Sequence, residues 1–241
     1  MKTIVHKAQE RGFANHGWLQ ANHSFSFAGF YHPEKVNFGA LRVLNDDIIA
    51  PGMGFGTHPH DNMEIITIPL SGVLKHRDSM HNQWQSIKPG EVQVMSAGSG
   101  LQHSEINGSS EEYLSLFQIW IMPDTQNVTP RYDQKTFSAQ DRKENLQTLV
   151  SSIHDESETN TLKIYQDARL SRIDLNQGSK FTYKAKSEHH GVYLMLIDGA
   201  IVIESETLEN RDAIGVWDTQ AFTMEAKTAS QILFIEVPMN F

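Results

Sequence analysis

Apolar positions along the chain fall in short runs of Val, Ile, Leu and aromatic residues, each closed by Gly, Pro, Asn or Asp. The three-to-four-residue spacing of an amphipathic helix is scarce, so the pattern predicts many short strands. Strands are expected over 41–44, 64–70, 92–95, 113–122, 192–197, 200–204 and 231–237. Turns are expected at Asn45-Asp46-Asp47, Pro51-Gly52, Ser71-Gly72, Pro89-Gly90, Asp198-Gly199 and Asn210-Arg211-Asp212, where the residue types favour tight reversal. The fold class that follows is all-β, a sandwich or barrel. The polar stretch 125–161, with its acidic run His154-Asp155-Glu156-Ser157-Glu158, reads as a linker holding one short helix near 139–153. On either side of it, 66–74 and 194–202 share a pattern, as two diverged copies of one β unit would.

Composition narrows the functional classes. With 241 residues, 39% hydrophobic and 20% charged, the chain can build its own core and is neither disordered nor fibrous. Cysteine is absent, which excludes disulfides, thiolate metal sites, iron-sulfur clusters and Cys nucleophiles. The formal charge of −9 repels phosphate backbones, so direct nucleic-acid binding is not expected. Neither a signal-type apolar segment nor a run of the roughly 18 apolar residues a membrane helix needs is present, and a cytoplasmic protein without membrane contact is expected.

Histidine changes the picture. Nine of the 12 histidines precede residue 104, and four positions stand out: His58-Pro59-His60 and His103-Ser104-Glu105. In a strand, residues i and i+2 share a face, so each triplet projects two ligating side chains together. Two such strands facing one another would surround one cation. Three imidazoles and a carboxylate suit Fe, Ni, Cu, Zn or Mn over Mg or Ca. A chance His-Pro-His turn is the bland alternative. The glycines Gly52, Gly54 and Gly56 ahead of the first pair, and the assignment of each pair to its own strand, favour the metal. Elsewhere His76 and Asp78 are expected as a surface pair and His81 in a turn, while His16 and His23 are expected near the barrel mouth without a catalytic role. Phe25, Phe27, Phe30, Tyr31, Phe38, Phe55 and Trp120 are candidates for an aromatic pocket, weighed against the core role most barrel aromatics have.

The stretch 52–64 resembles the first cupin signature, in which a glycine precedes His-x-His and a glutamate follows it; His58, His60 and Glu64 fill those places. The segment Met95-Ser96-Ala97-Gly98-Ser99-Gly100-Leu101-Gln102-His103-Ser104-Glu105 is similar to the corresponding part of pirins, a bicupin family. So are His23-Ser24-Phe25-Ser26-Phe27, Ala40-Leu41-Arg42-Val43, Gly54-Phe55-Gly56-Thr57-His58-Pro59-His60 and Gln118-Ile119-Trp120-Ile121. Gly215-Val216-Trp217-Asp218 resembles the second cupin of bacterial pirins with quercetinase activity.

That resemblance implies two tandem jelly-roll cupin barrels: a metal-binding domain over 1–133, a linker over 134–160 and a cupin-like domain without metal over 161–241. It implies one Fe(II)-type site held by His58, His60, His103 and Glu105, with Ni, Cu, Mn, Co or Zn as substitutes. Glu64 then stays outside the ligand set, whereas the older cupin pattern makes it a ligand. The activity implied is 2,3-cleavage of a flavonol such as quercetin by O2 with release of CO, Glu105 or Glu64 serving as base. Alternatives are an iron-dependent protein-interaction module and a cupin isomerase acting on a small metabolite. A monomer is expected. Aligning the second copy by an offset of 127 sets Ala185 and Ser187 opposite His58 and His60, and an offset of 122 sets Glu225 and Lys227 opposite His103 and Glu105. Neither pairing makes a metal site.

Overall fold

The computed structural model describes residues 1–240. In chain order the strands of the first half are β1 (Lys2–His6), β2 (Gly12–Asn15), β3 (Leu19–His23), β4 (Leu41–Ile49), β5 (Gly54–His60), β6 (Glu64–Ser71), β7 (Leu74–Asp78), β8 (Gln85–Ile87), β9 (Glu91–Ser96), β10 (Leu101–Asn107), β11 (Leu114–Ile121) and β12 (Arg131–Thr136). The second half adds β13 (Gln147–Ser152), β14 (Leu162–Ile164), β15 (Arg169–Leu175), β16 (Lys180–Lys184), β17 (His190–Asp198), β18 (Ala200–Ile203), β19 (Glu206–Glu209), β20 (Ala213–Trp217), β21 (Ala221–Ala226) and β22 (Ser230–Pro238).

These strands make two cupin barrels of matching plan. The N-terminal barrel combines the sheet β12-β9-β6-β11-β4-β3-β2 with the sheet β5-β10-β7-β8. The C-terminal barrel combines β1-β20-β17-β22-β15-β13-β14 with β16-β21-β18-β19. One edge crosses between the halves: β1 pairs with β20 of the C-terminal sheet, while β12 closes the edge of the N-terminal sheet against β9. The chain's first strand thus lies outside the barrel that the rest of the first half builds. A shared core lies between the two large sheets, where Ile66, Ile68, Phe117 and Ile119 meet Leu170, Tyr193, Leu233 and Ile235. A second core, entirely C-terminal, fills that barrel with Ile201, Ile214, Phe222, Met224 and Phe234.

The stretch expected as a linker contains two ordered strands, Arg131–Thr136 and Gln147–Ser152. Arg131–Thr136 is polar because an edge strand has one paired side and a wet outer face. Leu149 and Val150 of β13 enter the shared core, and the expected helix reduces to the single 3-10 turn Ala139–Arg142, whose Ser138 side chain accepts from the Gln140 amide. The acidic run is pinned rather than solvated. Lys163 Nζ donates to the backbone carbonyls of Asp155 and Glu158 at 2.7 Å each, and Arg169 faces both carboxylates at 3.8 and 3.6 Å.

Asn45-Asp46-Asp47 is likewise no turn but the middle of β4, buried on both faces. Each side chain has a reason to be there: Asn45 bonds His23, Asp46 pairs with Arg11 and Arg211, and Asp47 points toward the interior near Glu105. Local turn propensity yields where a polar interior supplies partners.

Candidate metal centre

β5 and β10 are hydrogen-bonded neighbours in one sheet, not facing strands. Their register sets His103 opposite His58 and Leu101 opposite His60, so alternation brings the three imidazoles onto one face. A bulge between His103 and Glu105 shifts the pairing so that Glu105 meets Phe55, and bulges of this kind re-aim side chains beside functional sites. Close approach of the two strands requires Gly54: a Cβ there would sit 2.1 Å from the Glu105 carbonyl oxygen.

One ring nitrogen from each of His58, His60 and His103 lies within 4.8 Å of the others. His58 Nε2 and His103 Nε2 are 2.9 Å apart. Two imidazoles bound at right angles to one ion, with metal–nitrogen bonds of about 2.1 Å, would be separated by about 3.0 Å. The outer partners select the ligand tautomer. His58 Nδ1 must donate to the Gly56 carbonyl at 2.8 Å, which leaves Nε2 as a lone pair. His103 Nδ1 meets His76 Nε2 at 3.1 Å, and the far nitrogen of His76, Nδ1, faces the Asp78 carboxylate at 4.0 Å with no hydrogen bond of its own. A proton on His76 Nδ1 is favoured by that carboxylate. His76 Nε2 then accepts from His103, and His103 Nε2 is left as a second lone pair aimed at the first. In that tautomer the two lone pairs stand 2.9 Å apart, a spacing that a shared cation would satisfy.

Burial reinforces the neutral form. It lowers His60 to about 4, with His58 adding to the effect, and lowers His103 to about 2, with His58, His76 and His60 adding. Glu105 is buried, which pushes its carboxyl up to about 7, while the donor Gln118 Nε2 at 3.1 Å pulls the other way. Its second oxygen, Oε1, is buried without a hydrogen-bond partner. Glu105 lies outside the group the three imidazoles form but lines the same cavity, and its free Oε1 is the carboxylate oxygen available to a nitrogen-rich divalent site as a fourth ligand. The donor set fits a first-row divalent cation.

Above the cluster opens a cavity of about 520 Å³ walled by Trp18, Phe27, Phe55 and Trp120, with His58, His60, His103, Glu105 and Gln118 at its polar end. That volume is in the range of small-molecule sites. Trp120 stands edge-on to both His60 at 4.9 Å and Phe27 at 5.3 Å, and its indole Nε1 is buried and unbonded. The other aromatics expected here lie elsewhere. Phe25 and Phe38 pack against Tyr193 between the barrels, Phe30 lies against Gly12, and Tyr31 is exposed. Trp18 was not anticipated. It precedes β3 and reaches the cavity by packing on Phe55 at 5.2 Å.

Glu64 is not part of this cluster. Between His60 and β6 the chain reverses through Asn62, whose φ is +44°, so strand alternation restarts before Glu64. The side chain turns to the face between the barrels, accepts from Ser96 Oγ at 2.7 Å and lies near Tyr165, Arg131 and Asp124. Burial raises its carboxyl to about 7. It does not line the cavity. His76 and Asp78 are also misjudged as a surface pair: both are buried, and His76 links the cluster to the barrel wall. The signal missed was cross-strand, since β7 pairs with β10 so that Glu105 faces His76 and His103 faces Asp78. His23 is buried against Asn45 and Phe27, and His16 is exposed.

Residues 5–121 match the Pirin family model, and residues 149–237 match the quercetinase C-terminal cupin domain. A protein of Escherichia coli (strain K12) named quercetin 2,3-dioxygenase is 43% identical over 234 residues, spanning 97% of this chain and 98% of that one. This chain belongs to the pirin family. A pirin-like protein of Caulobacter vibrioides is 40% identical over 93% of the chain and 95% of its own length. Among solved structures, bacterial pirin YhhW from Escherichia coli in complex with nickel(II) superposes with a TM-score of 0.91 at 40% identity, covering 98% of this pirin and 99% of that chain.

Proposed function

We propose that this pirin is a metal-dependent dioxygenase that opens a flavonol such as quercetin between C2 and C3, consuming O2 and releasing CO. The observation that carries the reading is the meeting of an aromatic-walled cavity with a convergent imidazole cluster at one end. A divalent cation held by His58, His60, His103 and Glu105, Fe(II) first and Ni(II) as substitute, would lower the pKa of the bound hydroxyl and provide the site for dioxygen.

The remaining work falls to the protein. Trp120 and Phe27, in edge-to-face contact at 5.3 Å, make one apolar wall against which a flat aromatic can lie, and Phe55 and Trp18 make another. Glu105, whose Oε1 would hold the cation, accepts the proton of the 3-hydroxyl on Oε2, the oxygen that Gln118 Nε2 reaches at 3.1 Å. His76 keeps the His103 lone pair directed inward. Apolar walls exclude water from the electron-rich enolate and limit its hydrolysis and unproductive oxidation. The names of the Escherichia coli relative and of the nickel-bound neighbour agree with this chemistry.

The test is to load the protein with Fe(II) or Ni(II) and follow flavonol, oxygen and carbon monoxide together. Equimolar loss of flavonol and oxygen with carbon monoxide produced is expected. Turnover that persists without oxygen would assign an isomerase instead, and no carbon monoxide with any reconstituted metal would reject ring cleavage.

A further inference from the structure

A second cleft, remote from the imidazoles, opens between the barrels. It encloses about 490 Å³, with Pro69, Leu70 and Pro89 of the N-terminal half on one side and Arg142, Arg172 and Arg211 on the other. In a chain with nine more acidic than basic residues, three guanidinium groups in one cleft are unexpected.

Two of the three have counter-charges. Arg142 Nε lies 2.9 Å from Asp174 Oδ2. Arg211 Nε lies 3.5 Å from Asp46 Oδ2, which it shares with Arg11 at 3.4 Å. Arg172 has none: among the described residues no carboxylate oxygen lies within 4.0 Å of it, and its one side-chain hydrogen bond runs from Nη2 to Gln231 Oε1 at 3.3 Å. It is nevertheless 7% exposed, and its Nε has no partner. Nη1 of Arg211 is buried and unbonded as well. The positive charges of Arg142 and Arg211 both bear on Arg172, with Asp174 opposing them.

A buried guanidinium flanked by two others and lacking a counter-ion is costly unless something supplies the missing charge and acceptors. Among the described residues the one carboxylate lining the cleft is that of Asp198, on an exposed residue. We infer that this cleft is a binding site for a small oxyanion, a phosphate- or sulfate-type group that completes Arg172 and bridges it to Arg142 and Arg211. The planar fork of donors on arginine matches the oxygens of such a group. The prolines Pro69 and Pro89 offer no donor, so the anion is held from the arginine side of the cleft.

Calorimetric titration with inorganic phosphate and with sulfate, against sodium chloride at matched ionic strength, tests this directly. Saturable binding of both oxyanions at one site per chain is expected, with affinity falling at least tenfold in Arg172→Gln and in Arg142→Gln. If Arg172→Gln does not fold, Arg142→Gln decides alone, since its side chain is nearer the surface. Binding must persist in His58→Ala, which separates this cleft from the metal centre. An effect no larger than that of chloride, or undiminished binding in Arg142→Gln, overturns the site and leaves the dioxygenase reading untouched.

Discussion

In the C-terminal barrel the pair β16–β21 turns Tyr183, Phe222 and Met224 inward, where Tyr183 stacks on Phe222 at 5.7 Å and on Phe234 at 4.7 Å. In the N-terminal barrel the corresponding pair β5–β10 carries His58, His60, His103 and Glu105 around an open cavity. The strand plan is the same, so topology does not create the site. The residues filling the interior do. Stacked rings close one barrel, with the Tyr183 hydroxyl satisfied by the buried Glu236 at 2.9 Å, and make it a support. In the other, polar groups that need partners keep the space open: Thr67 Oγ1 donates to Gln118 Oε1, Gln118 donates to Glu105, and Asp47 lies behind. The cost of a polar interior is repaid as chemistry only where a ligand completes it.

Changing the imidazole pair separates the barrels most sharply. His58→Ala or His103→Ala is expected to abolish stoichiometric metal binding and flavonol turnover while circular dichroism stays that of a folded β protein; metal content by elemental analysis is the readout. Next, Phe234→Ala should destabilise the molecule by about 3–5 kcal/mol, as large-to-small changes in a filled core do, yet leave one metal per folded chain. Denaturant melts beside metal analysis read both halves of that statement. Loss of metal in the folded fraction would show that the C-terminal barrel does more than support.

Glu105→Gln should weaken metal binding by more than about tenfold, and Glu64→Gln by little, because the latter carboxyl faces Ser96 between the barrels. The reverse order would restore the older cupin ligand set. His76→Ala should cost about 10–100-fold in metal affinity, the usual toll for losing a group that orients a ligand. His76→Gln, which keeps an acceptor, should recover part of it, and the two affinities measured by competition with a chelator decide.

The smallest effect concerns pH. Burial, with Asp46 and Glu105 adding, raises Asp47 from 3.8 to about 8. The folded metal-free protein therefore holds a proton that the unfolded chain has released, so this residue's contribution is full below about pH 4 and is lost as pH rises toward 8. Asp47→Asn should flatten the fall in apo-protein stability over that window by on the order of a few kcal/mol. An unchanged pH profile would mean Asp47 is ionised in the fold.

The convergence of His58, His60 and His103 was legible because strand alternation puts the two members of each triplet on one face without any tertiary information. The all-β class was legible from short apolar runs and glycine turns. What could not be read required contacts distant in sequence. Glu64 was ambiguous because one left-handed residue, Asn62, resets the alternation. His76 was misplaced because its value comes from the register between β7 and β10. Residues 45–47 look like a turn to any local rule, and only His23, Arg11 and Arg211 make them strand. The crossing of β1 to the C-terminal sheet leaves no local mark at all.

The most direct test of the polar barrel as a metal centre is an anomalous-difference map from crystals of protein purified without added metal. A single peak among the imidazoles of His58, His60 and His103, within bonding distance of the Glu105 carboxylate, is the result expected. Density for solvent alone, with His58 and His103 joined by a hydrogen bond and the Glu105 oxygen turned away, would contradict it.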